Sequence, residues 1–251
     1  MTIPKSLLPY LAILALTPTL SAQDENAPVP EWQQKLENLS PEDKKTYAAT
    51  LGEGSRLYNQ QRIFEALNSL YDAERIFAQN PAALNLKGAC YVEFRDFTRA
   101  RICFNEAIAL APDTPSLLFN LVEMDFVTRQ WESCQKRIQE LIPLFSKENI
   151  PMLRLLEFKL MLTYLKSDQE DKARELAEKY DFLDDNPYYY YAQAAICYYD
   201  GKTEKAGTWI SSAQRVFRDA ATLAPWQDTL IEFGYIKSFL SEGLGAGDPI
   251  E

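Results

Sequence analysis

The chain has 251 residues, a formal net charge of −10 and no histidine. The missing histidine removes Ser-His-Asp and Cys-His catalysis and the commonest metal ligand. The acidic balance sets the chain against phosphate backbones and anionic membrane surfaces. Glycine is scarce, at 9 residues, while 47% of the chain is hydrophobic; that combination favours helices around a sizeable core over a turn-rich β protein.

In chain order, Lys5 precedes an apolar run from Leu7 to Leu20, and Leu20-Ser21-Ala22 stands before Gln23. This pattern predicts a secretory signal peptide over 1–22. The competing reading, a membrane anchor, needs roughly 20 apolar residues, and the run is shorter and interrupted by Pro9 and Pro18. No second long apolar run follows, so no membrane span is expected after cleavage. A flexible, proline-bearing leader is expected over 23–40. Ser40-Pro41-Glu42-Asp43 then reads as a helix start: a capping serine, a proline in the first turn and acids suited to the helix dipole. From there the pattern predicts helices at 41–59, 62–79, 82–94, 97–110, 115–128, 131–143, 150–166, 169–181, 187–199 and 203–222. Pro81, Pro112, Pro151, Pro187 and Pro225 are expected near helix ends. A last helix over 226–242 and a loose tail over 243–251 complete the reading.

The helices repeat. Ala66, Ala100 and Cys134 recur at one constant interval, and Ala173 and Ala206 continue the series at similar spacing. Ala73, Ala107 and Leu141 form a second series at the same interval, and Gly54, Gly88 and Val122 a third. The shared period is about 34 residues, a length suited to one helix–turn–helix unit. The clearest copy carries Leu84, Gly88, Tyr91, Ala100, Phe104, Ala107 and Pro112. It resembles the tetratricopeptide repeat, although Leu84 fills the tryptophan slot and Lys87 a leucine slot. Weaker copies run through Gly54, Ala66 and Ala73; through Leu118, Leu121, Trp131 and Ile138; through Tyr164 and Ala173; and through Ala194, Ala206 and Ala213. The resemblance spans Pro41 to Arg218. It implies an all-α fold, a right-handed α-solenoid of about five antiparallel helix pairs with a C-terminal capping helix, over 41–242. In such a fold small residues let paired helices approach, and each pair is stabilised by its neighbours.

The resemblance also implies a surface. In this family the first helix of each pair lines a concave face that holds a peptide or a partner helix. Transferring the phase of the clearest copy places Asn85, Ala89 and Val92 there, with Tyr58 from the first copy and Phe119, Glu123 and Phe126 from the third. Phe158, Leu162 and Leu165 follow from the fourth copy, and Tyr191, Ala195 and Tyr198 from the fifth, flanked by Tyr188 and Tyr199. The expected partner-binding groove is thus Tyr58, Phe119, Phe126, Phe158, Leu162, Tyr188, Tyr191, Tyr198 and Tyr199. The competing reading makes these aromatics core, covered by a neighbouring helix or by the C-terminal helix with Trp226, Phe233 and Phe239. Of the cysteines, Cys90 and Cys103 form the one plausible bridge; the alternative is four small buried residues. Asp184-Asp185 lacks a calcium-loop pattern. No catalytic, cofactor or metal site is expected.

Function therefore reads as a non-catalytic scaffold or adaptor of the periplasm or cell envelope that binds a protein or peptide. The alternative is an envelope glycan-binding protein that uses tyrosines as stacking platforms. The export reading has a direct check: intact-mass measurement of the exported chain should give a mature N-terminus at or near Gln23, and retention of the whole N-terminus rejects it.

Overall fold

A computed structural model describes residues 29–236 apart from 113 and 146–148. The predicted signal peptide and tail, and the last part of the expected final helix, lie outside the described residues. Every regular element among those described is helical. The chain divides into two compact units at Met124/Asp125, and each is treated by itself.

The first unit contains α1 (Glu31–Glu37), α2 (Pro41–Asn59), α3 (Ile63–Ile76), α4 (Pro81–Glu93) and α5 (Phe97–Leu110), with most of α6 (Pro115–Val127). Ser40 caps α2 by accepting from the Asp43 N–H, and Pro41 occupies its first turn. The helices α2 and α3, and likewise α4 and α5, are joined by short turns and pack as antiparallel pairs. Gly88 explains the tight contact of the second pair. A β-carbon there would stand 2.5 Å from Cε1 of Phe104, so the ring occupies the space a side chain would need. Ala66, Ala100 and Ala107 have no accessible surface. Between the pairs, the Tyr71 and Tyr91 hydroxyls meet at 2.5 Å and Lys87 donates to Glu74.

The leader expectation fails over Glu31–Glu37, which is helical. Leu36 and Leu39 pack against buried Tyr47, Ala73 and Phe77, and Lys35 donates to Gln79. This segment therefore covers the otherwise open side of the α2/α3 pair. Apolar residues spaced three apart were its signal.

The second unit contains the end of α6, then α7 (Trp131–Leu141), a short 3-10 helix (Ile142–Leu144), α8 (Ile150–Lys166), α9 (Glu170–Ala177), α10 (Tyr188–Tyr199), α11 (Thr203–Val216) and α12 (Ala220–Phe233). Asp125 at the end of α6 accepts from Ser133 Oγ at 2.6 Å and from Arg137 Nε at 2.9 Å, which ties α7 to it. In α8, ten consecutive residues from Leu156 to Leu165 are buried. A helix buried on every side needs neighbours all round, and α8 has them in α7, α9, α10 and α12. The final helix begins six residues earlier than predicted. Asp219 accepts from the Ala221 and Thr222 N–H groups and starts it at Ala220, leaving Pro225 inside the helix and not at its start.

Each turn within a pair has the same backbone. Gln61, Arg95, Arg129, Asp168 and Gly201 all have positive φ. The N–H of the next residue reaches back to a carbonyl five positions earlier: Arg62 to Leu57, Asp96 to Tyr91, Gln130 to Asp125, Gln169 to Tyr164 and Lys202 to Cys197. This is the Schellman arrangement, which satisfies carbonyls left open at a helix end. These positions advance with the small-residue series, so the repeat is built into the backbone as well as the packing.

Gly88→Ala should lower stability by about 1–3 kcal/mol, the usual range for overpacking a tight contact. Denaturant unfolding of the full chain would measure it, and an unchanged midpoint would mean that Phe104 can move aside freely.

Candidate functional site

A cluster of aromatic side chains lies where α12 crosses the faces of α8 and α10. Trp226 of α12 is 3% exposed. Its ring centre lies 5.4 Å from that of Phe158, 5.9 Å from Tyr191 and 6.2 Å from Tyr188. Phe158 in turn meets Tyr188 and Tyr191 edge-on at 6.4 Å. Two turns further along α12, Phe233 stacks on Phe126 at 6.0 Å and meets Trp131 at 5.7 Å. Tyr235 packs on Phe233 at 4.7 Å and stacks on Tyr198 at 5.3 Å. Such offset and edge-on pairs contribute beyond the area they bury. Leu223 and Leu230 complete the buried stripe of α12.

One ion pair lies inside this apolar contact. Lys159 Nζ is 3.5 Å from Glu232 Oε2, and both side chains are buried. The same ammonium lies 4.3 Å from the centre of the Phe126 ring. A buried lysine must be compensated to remain charged, and the carboxylate of α12 and the ring face both serve. Asp228 is less well placed. Its Oδ2 is buried without a hydrogen bond. Burial raises its pKa above the ordinary 3.8, against a smaller lowering by the Lys159 charge.

The expected groove residues are therefore not open to solvent. Phe126, Phe158, Leu162, Tyr188 and Tyr191 are buried in the second unit, with α12 over Phe126, Phe158, Tyr188 and Tyr191. Tyr198 is half-buried against Tyr235, and Tyr199 is the exposed member, its hydroxyl donating to Glu170. In the first unit Tyr58 and Phe119 are buried too, the Tyr58 hydroxyl donating to Glu93. Beside them Asn120 Nδ2 donates to Asn85 Oδ1 at 2.5 Å. The competing reading, aromatics covered by the C-terminal helix, describes the second unit. Trp226 and Phe233 are the covering residues, and Phe239 lies outside the described residues. Within the second unit the phase transfer found the face, and the competing reading named the helix that covers it. Both missed Lys159, Glu232 and Asp228. A lone lysine within the apolar run of α8 was the available signal.

Elsewhere the side chains read as structural. All four cysteines are free and buried. Burial pushes the Cys90 thiol up to about 12 and the Cys103 thiol up to about 11. The Cys90–Cys103 bridge is not formed, the alternative of four small buried residues holds, and neither thiol is poised as a nucleophile. Asp184 accepts from Arg154 at 2.9 Å, and that arginine lies 3.5 Å from the centre of the Tyr180 ring. Glu157 is held by Lys179 at 2.5 Å and Tyr180 at 3.2 Å. Among the described residues no group of three or more His, Cys, Asp or Glu side chains is placed to hold a metal ion, and no helix is long and apolar enough to cross a membrane.

Paired helices with one turn geometry and one small-residue spacing define a helical-hairpin repeat protein. Solved structures specify the class. YrrB, described as a TPR protein with an unusual peptide-binding site, matches with a TM-score of 0.52 at 17% identity, over 76% of this chain and 95% of its own. TTC0263, a thermophilic TPR protein of Thermus thermophilus, matches with a TM-score of 0.52 at 19% identity, over 74% of this chain and 99% of its own. Pseudomonas aeruginosa PilF matches with a TM-score of 0.53 at 17% identity, over 80% of this chain and 99% of its own. The chain has the tetratricopeptide-repeat fold. No family model matches the sequence, and the search of curated proteins returns no significant relative.

Asp228→Asn tests the balance of the site. A carboxyl whose folded pKa is raised contributes most stability when protonated and loses it as pH rises above 3.8. The amide carries no such penalty. The variant should melt higher than the natural chain at pH 7, and the difference should shrink as pH falls toward the ordinary aspartate value. A gain independent of pH, or a loss at pH 7, would show that the ionised carboxylate is well accommodated.

Proposed function

We propose that the protein is a non-catalytic scaffold of the periplasm or cell envelope, and that it works by holding a helical segment of a protein partner against the inner helices of its second unit. The observation that carries this reading is the face formed by Phe126, Phe158, Tyr188 and Tyr191, which holds a helix through two aromatic anchors. Laying an amphipathic helix into an apolar groove is a recurring mode of peptide recognition. The tetratricopeptide-repeat fold supports it, since a neighbour of that fold is described by its peptide-binding site. The export part rests on the signal pattern over 1–22. A glycan-binding role has less support, because the tyrosines it would use as platforms, Tyr188 and Tyr191, have no accessible surface.

A photo-crosslinking amino acid at Tyr198, on the rim of this face, should yield one predominant protein adduct in the envelope fraction of the source cells. The same group at exposed Phe64 in the first unit should not yield it. Equal labelling at both positions, or none at Tyr198, rejects the proposed surface. A chain found only in the cytoplasm rejects the export part.

A further inference from the structure

The helix that occupies the face is the chain's own, and it is poorly made for the task. Pro225 lies inside α12, where it supplies no N–H to the helix ladder and its ring crowds the preceding turn. Half-buried Asp228 brings one carboxylate oxygen into the contact without a hydrogen-bond partner, and burying a polar atom without one opposes docking. Against these defects stand good anchors. Leu223, Trp226, Leu230 and Phe233 are buried at intervals of three, four and three residues, the stripe of an amphipathic helix. Trp226 and Phe233 are seven residues apart, two turns or about 10.5 Å of rise. That rise is close to the roughly 8–10 Å between packed helices. Trp226 accordingly enters the site between α8 and α10, while Phe233 enters the one formed by Phe126 and Trp131. Glu232, beside the second anchor, meets Lys159.

We propose that α12 is a displaceable occupant of this face, and that the partner is an amphipathic helix with large aromatic residues at positions i and i+7 and a carboxylate at i+6. The proposal rests on the scaffold reading and adds the chemistry of the partner and the means of control. The groove selects that pattern because its two aromatic sites are one helix-to-helix step apart and its buried lysine requires an anion. A partner helix without the proline and the poorly satisfied aspartate competes effectively, because the tether gives α12 a high local concentration but not a well-matched sequence. Apparent affinity for the partner falls with the fraction of chains in which α12 is docked.

The test uses the full chain and a fluorescent peptide of residues 220–236 carrying Pro225→Ala and Asp228→Asn. The natural chain should bind it. Full-length Trp226→Ala, which weakens the internal anchor, should bind at least about 10-fold more tightly. Full-length Pro225→Ala and Asp228→Asn, which improve the internal helix and are not expected to impair folding, should bind several-fold more weakly. Hydrogen exchange should show α12 losing protection when the peptide is bound while α8 and α10 keep theirs. Equal affinity across these variants, or peptide binding that leaves α12 protected, would falsify displacement. So would a concentration-dependent dimer that exchanges α12 between chains, since the occupant would then be a second copy. The Tyr198 adduct separates the two readings: its persistence at the same yield in Pro225→Ala would keep the scaffold and overturn displacement.

Discussion

Ala66, Ala100, Cys134, Ala173 and Ala206 have no accessible surface, and each belongs to the second helix of its pair. Where such a residue faces a partner helix, the backbones can approach until neighbouring side chains interlock. At Gly88 even a β-carbon would not fit, with the Phe104 ring standing where a side chain would be. Close approach sets the angle of each pair, and that angle decides which side chains turn toward the next one. The rest of the molecule depends on this spacing. If the pairs opened, neither the ten-residue buried run of α8 nor the aromatic sites beneath α12 would form.

The repeat was legible because packing imposes it on small residues, and small residues are easy to recognise in a sequence. Ala66, Ala100 and Cys134 recur at a constant interval for the same physical reason that they are buried. The turns were less legible. Gln61, Arg95, Arg129 and Asp168 adopt a left-handed backbone that favours glycine, and only Gly201 shows it in its identity. In the other four, the hydrogen bond across the turn holds a conformation that residue type alone would not suggest.

The site was half legible. Periodicity placed Phe158 and Tyr191 on one face, with Tyr188 flanking it, but periodicity describes one helix at a time. It cannot tell an open face from one covered by a helix much later in the chain. The decisive residues were of another kind: Trp226 and Phe233 on the covering helix, and Lys159 beneath it. A lysine within the apolar run of α8 is costly unless an anion arrives from elsewhere, and Glu232 is that anion. The start of α12 was misplaced for a local reason. Pro225 reads as a helix boundary, whereas Asp219, earlier in the chain, caps the helix.

The turns also order the events of folding. Each is closed by a hydrogen bond between residues five apart, and contacts so near in sequence form fast because little chain entropy is lost in making them. Such turns can close within each helix pair, although each pair needs its neighbours for stability. The docking of α12 is of the opposite kind. Glu232 meets Lys159 across 73 residues, and Phe233 reaches back further still, to Phe126. Its sites do not exist until α7, α8 and α10 are in place. The docking of α12 thus depends on those helices, whereas the hydrogen bonds that close the turns do not depend on α12.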